Sequence, residues 1–298
     1  MATVLQSAKS HFPAETENRA VHSGDARWTA ILLAGQRPGR DPLADHCGEK
    51  YKALVRVAGK SMLARVADAL LGSSLIGRVV ILAQEPDALL VGDTVSLANN
   101  LLVTLATSND GIATSIAKVA GTDIAPWPIL VTTADHALLT TDMVNAFLAE
   151  TGHSDIAIGV GDREIIEARY PMTQRTWLKF RDGHYSGANL FALRGENTLA
   201  ALDLWATIEQ DRKKSWKIIS SFGPRLLFRA ITRSIRFEDA VHRAGKRLGV
   251  NARPIVLTQP EAAIDVDKPT DLELAEHILS NVFRSRPTLP DTRLRNSP

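Results

Sequence analysis

The stretch Trp28–Ala44, WTAILLAGQRPGRDPLA, passes from an apolar run directly into a loop with two glycines and two arginines. A strand buried on both faces reads as a continuous apolar run rather than an alternation. Such a strand belongs inside a parallel sheet, and the loop after it lies at the carboxyl edge, where open α/β sheets bind ligands. Gly35 and Gly39 let backbone amides approach phosphate oxygens, and Arg37 or Arg40 can neutralise them. The loop is not a Walker A sequence: its glycines are one residue too close, and Arg40-Asp41 stands where Lys-Ser/Thr is needed. No G-x-G-x-x-G follows either, so the dinucleotide fingerprint is absent. A strand-to-helix turn that needs glycine only for geometry has the same appearance, and the rest of the chain has to decide.

Working outward, TAILLA (29–34), RVVILA (78–83), LLVTLAT (101–107), PILVTTA (128–134) and DIAIGV (155–160) read as buried strands. Between them SMLARVADALLG sets Met62, Leu63, Val66, Ala67 and Leu70 on one helical face, with Ser61 as N-cap. GIATSIAKVAG and TTDMVNAFLAE supply further helices. This strand–helix alternation predicts an α/β fold, a Rossmann-like doubly wound, mainly parallel sheet. TWLKFRDGHYSGANLFALR reads as an inserted β-hairpin, turning at Asp182-Gly183 and returning near Ala188–Leu193. Helices are expected over 195–213, over a basic stretch around 222–248, and from Thr270, where Thr270 and Glu273 form a capping box. The hairpin and helices elaborate one sheet rather than build a second domain.

The chain has 298 residues, 45% hydrophobic and 23% charged, long enough for one large α/β domain. Its single cysteine, Cys47, rules out an intramolecular disulfide framework and a multi-thiolate metal cluster, and it fits a reducing, cytoplasmic compartment. A net charge of +2 gives no electrostatic case for nucleic acid. No apolar run approaches a bilayer span. Residues 1–26 read as a polar leader and 284–298, rich in proline and arginine, as a disordered tail. The domain expected between them is 27–283, read as two halves, 27–150 and 151–283.

Three further features bear on chemistry. Lys52, shortly before ALVRVAG, lies where an ammonium can reach phosphates in the first loop. Asp135 ends the apolar strand PILVTTA, a natural place for a Mg²⁺ ligand or equally for a turn into the next helix. AAIDVDKPTDL carries Asp265 and Asp267 at alternate positions, hence on one face if the segment is extended. Two acidic sites far apart in sequence can clamp one metal.

Taken in order, LLAGQRPGR, KALVRVAGKSML, TTADH and DVDKPTDL resemble the MobA-like nucleotidyltransferases. That group includes molybdopterin guanylyl- and cytidylyltransferases and the sugar- and alcohol-phosphate nucleotidyltransferases. The resemblance implies Mg²⁺-dependent transfer of a nucleotidyl group, from CTP or GTP, to a phosphorylated small-molecule acceptor with release of pyrophosphate. It implies that Leu33, Ala34, Gly35, Gly39 and Arg40 hold the triphosphate and that Lys52 stabilises its charge. Asp135 and Asp267, with Asp265, would bind the metal. NDGIATS resembles the base-reading segment, making Asp110, Gly111 and Ser115 candidates, although Ser115 can equally face the core. GHYSGANLFAL resembles the acceptor-lining strand, which points to Gly187 and Asn189, with Arg169, Arg175 and Lys179 as nearby cations. Two departures stand out. DPLADHCGE lengthens the first loop, so Lys50 is an alternative to Lys52, and Asp265 occupies a position where some relatives carry lysine. The rival readings are a glycosyltransferase using a nucleotide sugar and a non-catalytic nucleotide-binding module. A final feature is the spacing of Arg225, Arg229, Arg233 and Arg236, which suggests one basic helix face and an anionic partner such as a membrane surface, against a plain solvated helix.

Overall fold

The computed structural model describes residues 27–36, 39–108, 111–210 and 232–284. Its centre is a sheet of β1 (Trp28–Leu33), β4 (Ile76–Ala83), β5 (Val103–Thr107), β6 (Ile129–Thr133), β7 (Ile156–Asp162), β9 (Gly183–Leu193) and β10 (Ala252–Leu257). They lie in the order β10-β7-β9-β6-β1-β4-β5, with β8 (Leu178–Phe180) paired to β9 and a separate two-residue ladder of β2 (Arg56–Val57) and β3 (Lys60–Ser61). β1 runs parallel to both β4 and β6, in register Ile31↔Val80 and Ile31↔Val131.

The apolar strands serve two cores at once, as a doubly wound sheet requires. Ala30, Leu32, Val79, Ile81 and Leu130 face one layer, and Ile31, Val80, Leu82, Ile129 and Val131 the other. On the first face pack α2 (Met62–Leu71) and α4 (Thr141–Glu150), through Leu63, Val66 and Leu70 and through Met143, Val144 and Phe147. Each fully buried Leu, Val or Phe contributes about 1.5–3 kcal/mol. On the second lie α3 (Ile112–Val119) and α6 (Leu199–Gln210), through Ile116 and Leu202. Local signals start the helices: Ser61 caps α2 by accepting from Ala64 N–H at 3.3 Å, and Thr140 caps α4 by accepting from Met143 N–H at 3.2 Å. Asp41 likewise caps the short α1 (Pro42–His46), with Pro42 at its first position.

The second half corrects several expectations. The return strand of the hairpin is no appendage: β9 sits inside the sheet, antiparallel to both β6 and β7. It is longer than the expected Ala188–Leu193, because a bulge opposite Gly159, with Asn189 at φ +48°, lets it bend and pair onward to Tyr185. The helix expected over 195–213 is described as α6, after a 3₁₀ turn at Glu196–Thr198. In the basic stretch, Arg225 and Arg229 lie outside the described residues. Arg233 is left-handed at φ +54° and Arg236 is extended, so neither belongs to a helical stripe; the helix there is α7 (Phe237–Arg247). The last helix, α8, spans Pro269–Arg284, and the side chain closing its entrance is Asp271 rather than the Thr270–Glu273 pair. Asp271 accepts from the backbone N–H of Asp267 and Lys268, at 3.2 and 3.0 Å. Among the described residues no helix is long and apolar enough to cross a membrane.

Gly161 on β7 is where the sheet meets α5 (Arg163–Arg169) and the 3₁₀ turn Pro260–Ala263. A Cβ there would stand 2.7 Å from Ala263 Cβ and 2.6 Å from Ile166 Cδ1. Gly161→Ala should therefore cost about 1–3 kcal/mol by overpacking. Urea unfolding checks this, and a midpoint within error of the wild type would refute the close packing.

Candidate active site

The site is assembled at the carboxyl edge of the sheet. Beyond β1, Ala34 N–H donates to Leu82 O at 3.0 Å, and Ala134 N–H donates to Leu33 O at 2.9 Å, so the strand ends of β1, β4 and β6 are tied together. Leu33 is half-buried, Ala34 buried and Gly35 exposed. Two glutamines, which sequence reasoning passed over, shape the loop. Gln36 N–H donates to Gln84 Oε1 and Gln84 Nε2 donates to Gln36 O, each at 3.1 Å. A Cβ on Gly35 would lie 2.8 Å from Gln84 Oε1, so a side chain there would displace the Gln84 amide that clasps the loop. Gly39 takes φ +101°, which glycine adopts without strain. Arg37 lies outside the described residues. Arg40 is exposed, 3.7 Å from Asp45.

Gln36 Oε1 also accepts from Lys52 N–H at 3.3 Å, fixing the lysine's backbone beside the loop. The Lys52 ammonium points inward and meets two carboxylates: Asp135 Oδ2 at 2.7 Å, and Asp267, which it contacts more closely still. Asp135 follows β6, steadied by the Thr133 hydroxyl at 2.5 Å. Its carbonyl accepts from Val266 N–H at 2.9 Å, which draws the late acidic segment against it. Burial acts to lower the Lys52 pKa, but the charges and hydrogen bonds of Asp135 and Asp267 outweigh it, so the group stays above the ordinary lysine value. Lys50 points elsewhere, 3.3 Å from Glu85 and over the Tyr51 ring.

Asp265 does not join this pair, although alternation along an extended segment would put it beside Asp267. Its carboxylate accepts from Arg175 Nη2 at 2.6 Å, and both side chains are largely shielded. Desolvation pushes its pKa up to about 6 against the opposing pull of Arg175, with Asp135 and Asp267 adding to the rise. His136 is fully buried, and among the described residues neither ring nitrogen has a hydrogen-bond partner of good geometry, the Ala262 backbone acting only as a minor upward pull on its pKa. Burial, then the Arg175 charge, lowers its pKa to about 4, so the ring is neutral at pH 7.

Of the base-reading candidates, two fall at or within α3. Asp110 lies outside the described residues; Gly111 precedes the helix. Ser115 is buried, its Oγ 2.8 Å from Ser108 Oγ. A carboxylate occupies that helix end: Glu209 of α6 accepts from Ile112 N–H at 2.9 Å and Ala113 N–H at 3.2 Å. Among the acceptor candidates, Gly187 on β9 is exposed and a Cβ there would meet nothing within 4 Å, while Asn189 is half-buried in the bulge. Lys179 on β8 and Arg169 at the end of α5 are exposed. Cys47 is exposed, and partial burial with Glu49 and Glu276 raises its thiol pKa, the opposite of activation.

A glycine loop, an inward lysine and two carboxylates, gathered at the carboxyl edge of a doubly wound sheet, are the working parts of an enzyme that handles a nucleoside triphosphate. A model of the MobA-like NTP transferase domain matches residues 30–220, and the chain belongs to that family, a nucleotidyltransferase. A solved hypothetical transferase from Thermus thermophilus is 27% identical, with a TM-score of 0.68, and the match covers 83% of this chain and all of that one. The 4-diphosphocytidyl-2C-methyl-D-erythritol synthase of Anaerococcus prevotii shares the fold at 11% identity and TM-score 0.53, over 85% of this chain and 96% of its own. A CMP:2-keto-3-deoxy-manno-octonic acid synthetase solved with CTP does so at 12% and 0.54, over 86% and 100%. No curated protein matches the sequence.

His136 and Asp265 should leave opposite marks on stability. Between pH 6.5 and about 4 the unfolded histidine takes up a proton that the folded one refuses, so its contribution is lost as pH falls. Asp265 holds its proton in the fold, so stability from this group is lost as pH rises through about 6. His136→Met should therefore gain on the wild type by about 3 kcal/mol between pH 7 and pH 4 in urea titrations. Parallel pH profiles would show that the ring is not buried neutral.

Proposed function

We propose that this enzyme transfers a nucleotidyl group from CTP or GTP to a phosphorylated small-molecule acceptor, releasing pyrophosphate, with Mg²⁺ held by Asp135 and Asp267. The observation that carries this reading is the meeting of those two carboxylates, from distant parts of the chain, on one cation beside the glycine loop. Their oxygens suit a hard cation, and Mg²⁺ typically takes one or two carboxylates and completes its shell with water and substrate phosphates. The ion, when bound, neutralises charge developing on the phosphates.

In the proposed reaction an oxygen of the acceptor attacks the α-phosphorus in line. A new P–O bond forms, the bond to the bridging oxygen breaks, and pyrophosphate leaves with that electron pair. Lys52 stabilises the phosphate oxygens, Arg40 with the loop backbone at Gly35 and Gly39 seats the triphosphate, and no side chain becomes covalently attached. Asp110, Gly111 and Ser115 are the residues proposed to read the base. Gly187 and Asn189 line the acceptor side of one catalytic domain over 27–283, and the exposed lone cysteine fits a cytoplasmic enzyme.

Incubation with each of the four nucleoside triphosphates, Mg²⁺ and a pool of phosphorylated metabolites tests this, with pyrophosphate followed and products weighed by mass spectrometry. Pyrophosphate should appear only with acceptor present and with CTP or GTP. Asp135→Ala should slow release about a thousandfold, through several kcal/mol of lost charge stabilisation. Lys52→Ala should slow it about 10–100-fold. Lys50→Ala should stay within about twofold, since an exposed pair is worth little. Turnover of a nucleotide sugar in place of a triphosphate would overturn the reading in favour of a glycosyltransferase.

A further inference from the structure

Arg175 is a nearly buried cation with most of its bonding capacity unspent. Its side chain is 11% exposed, and its one hydrogen bond to the described residues is to Asp265. A guanidinium carries five N–H donors, and shielded donors are normally satisfied. The loop that brings it in, residues 170–177, is fastened to the opposite segment twice, by Tyr170 on Glu261 and by Arg175 on Asp265. Asp265 lies two residues from Asp267, and the Arg175 charge is felt at His136, next to Asp135. The guanidinium therefore stands at the edge of the paired carboxylates, reached from the β7–β9 side rather than from the β1 loop.

Lys52 already answers Asp135 and Asp267. Asp265 engages Arg175 through Nη2 alone, which anchors one end of the planar guanidinium and leaves its Nε and Nη1 donors for a second carboxylate or a phosphate. We propose that Arg175 seats the anionic group of the acceptor and that Asp265 is the positioning residue that orients it, not a metal ligand. The acceptor class is a small molecule bearing a phosphate or a carboxylate. This deepens the nucleotidyl-transfer reading and rests on it for the word acceptor.

Calorimetric titration of the full-length protein with inorganic phosphate, and separately with acetate, tests the seat. Mn²⁺ titration in the presence of CTP, read by the electron paramagnetic resonance of the free ion, tests the metal assignment. Anion affinity should fall about tenfold or more in Arg175→Gln and about threefold to tenfold in Asp265→Asn, with recovery in Asp265→Glu. Removing one partner of a shielded pair can unfold a protein, so Arg175→Met/Asp265→Leu, which removes both charges, is measured alongside. It should lose the anion and keep Mn²⁺. All these variants should bind Mn²⁺ as the wild type does, whereas Asp267→Asn should bind it weakly. The larger loss, with phosphate or with acetate, identifies the acceptor's anionic group. Asp265→Asn weakening Mn²⁺ as much as Asp267→Asn, or anion binding absent or indifferent to Arg175, would overturn the proposal. A wild type that binds the anion through Arg175 but no Mn²⁺ with CTP would count against nucleotidyl transfer and leave the seat intact.

Discussion

One ammonium group, held between two carboxylates, organises the catalytic edge of this protein. Lys52 reaches Asp135 at the end of β6 and Asp267 before α8, with its side chain only 16% exposed. Lys52 is the shielded member, and without its charge two carboxylates would face each other unbalanced; Asp267 is 55% exposed, so its share of the arrangement is screened by solvent. The fold secures all three by fixing the backbone from which each side chain projects. Val266 bonds to the Asp135 carbonyl, Asp271 holds the amides of Asp267 and Lys268, and Gln36 holds the amide of Lys52. The glycine loop is joined to the same frame, since Gln36 is itself clasped by Gln84.

The same frame sets the balance between stability and chemistry. A lysine that neutralises both acids in the free protein stands where a divalent ion would be held, and it is also the cation best placed to meet phosphates. Binding of a nucleotide with its metal would exchange one set of charge pairs for another within a few ångströms. Arg175 and Asp265 form a second, separate pair at the rim of this arrangement.

Much of the sheet was legible because buried parallel strands announce themselves as unbroken apolar runs: β1, β4 and β6 lie within two residues of their expected limits. The N-cap of α2 was legible for a local reason as well, a serine before an apolar helical face. The place of β9 was not. Its sequence, GHYSGANLFAL, carries no sign that it slots between β6 and β7, because strand order is decided by pairing across the sheet and not by the strand itself. The bulge at Asn189 further broke the pattern that would have shown its length. In the site, Asp135 and Asp267 were legible from their positions at strand and helix ends. The partner of Asp265 was not, because Arg175 lies 90 residues away and an ion pair is chosen by the tertiary fold. Gln84 could have been noticed as the first polar residue beyond the apolar run RVVILA, at the edge where ligands bind. Of the arginine stripe, Arg233 is left-handed and Arg236 extended, so these two do not share a helix face, while Arg225 and Arg229 lie outside the described residues.

The central claim is that the sheet edge where Lys52 meets Asp135 and Asp267 is the seat of the proposed metal-bound triphosphate. The most direct test is a crystal of the protein soaked with CTP and Mn²⁺, with the ion located by its anomalous scattering. The account predicts a single Mn²⁺ peak between the carboxylates of Asp135 and Asp267, phosphate oxygens completing its shell, and the Lys52 ammonium moved from the acids onto the phosphates. A peak elsewhere, or a bound triphosphate with Lys52 still between Asp135 and Asp267, would contradict it.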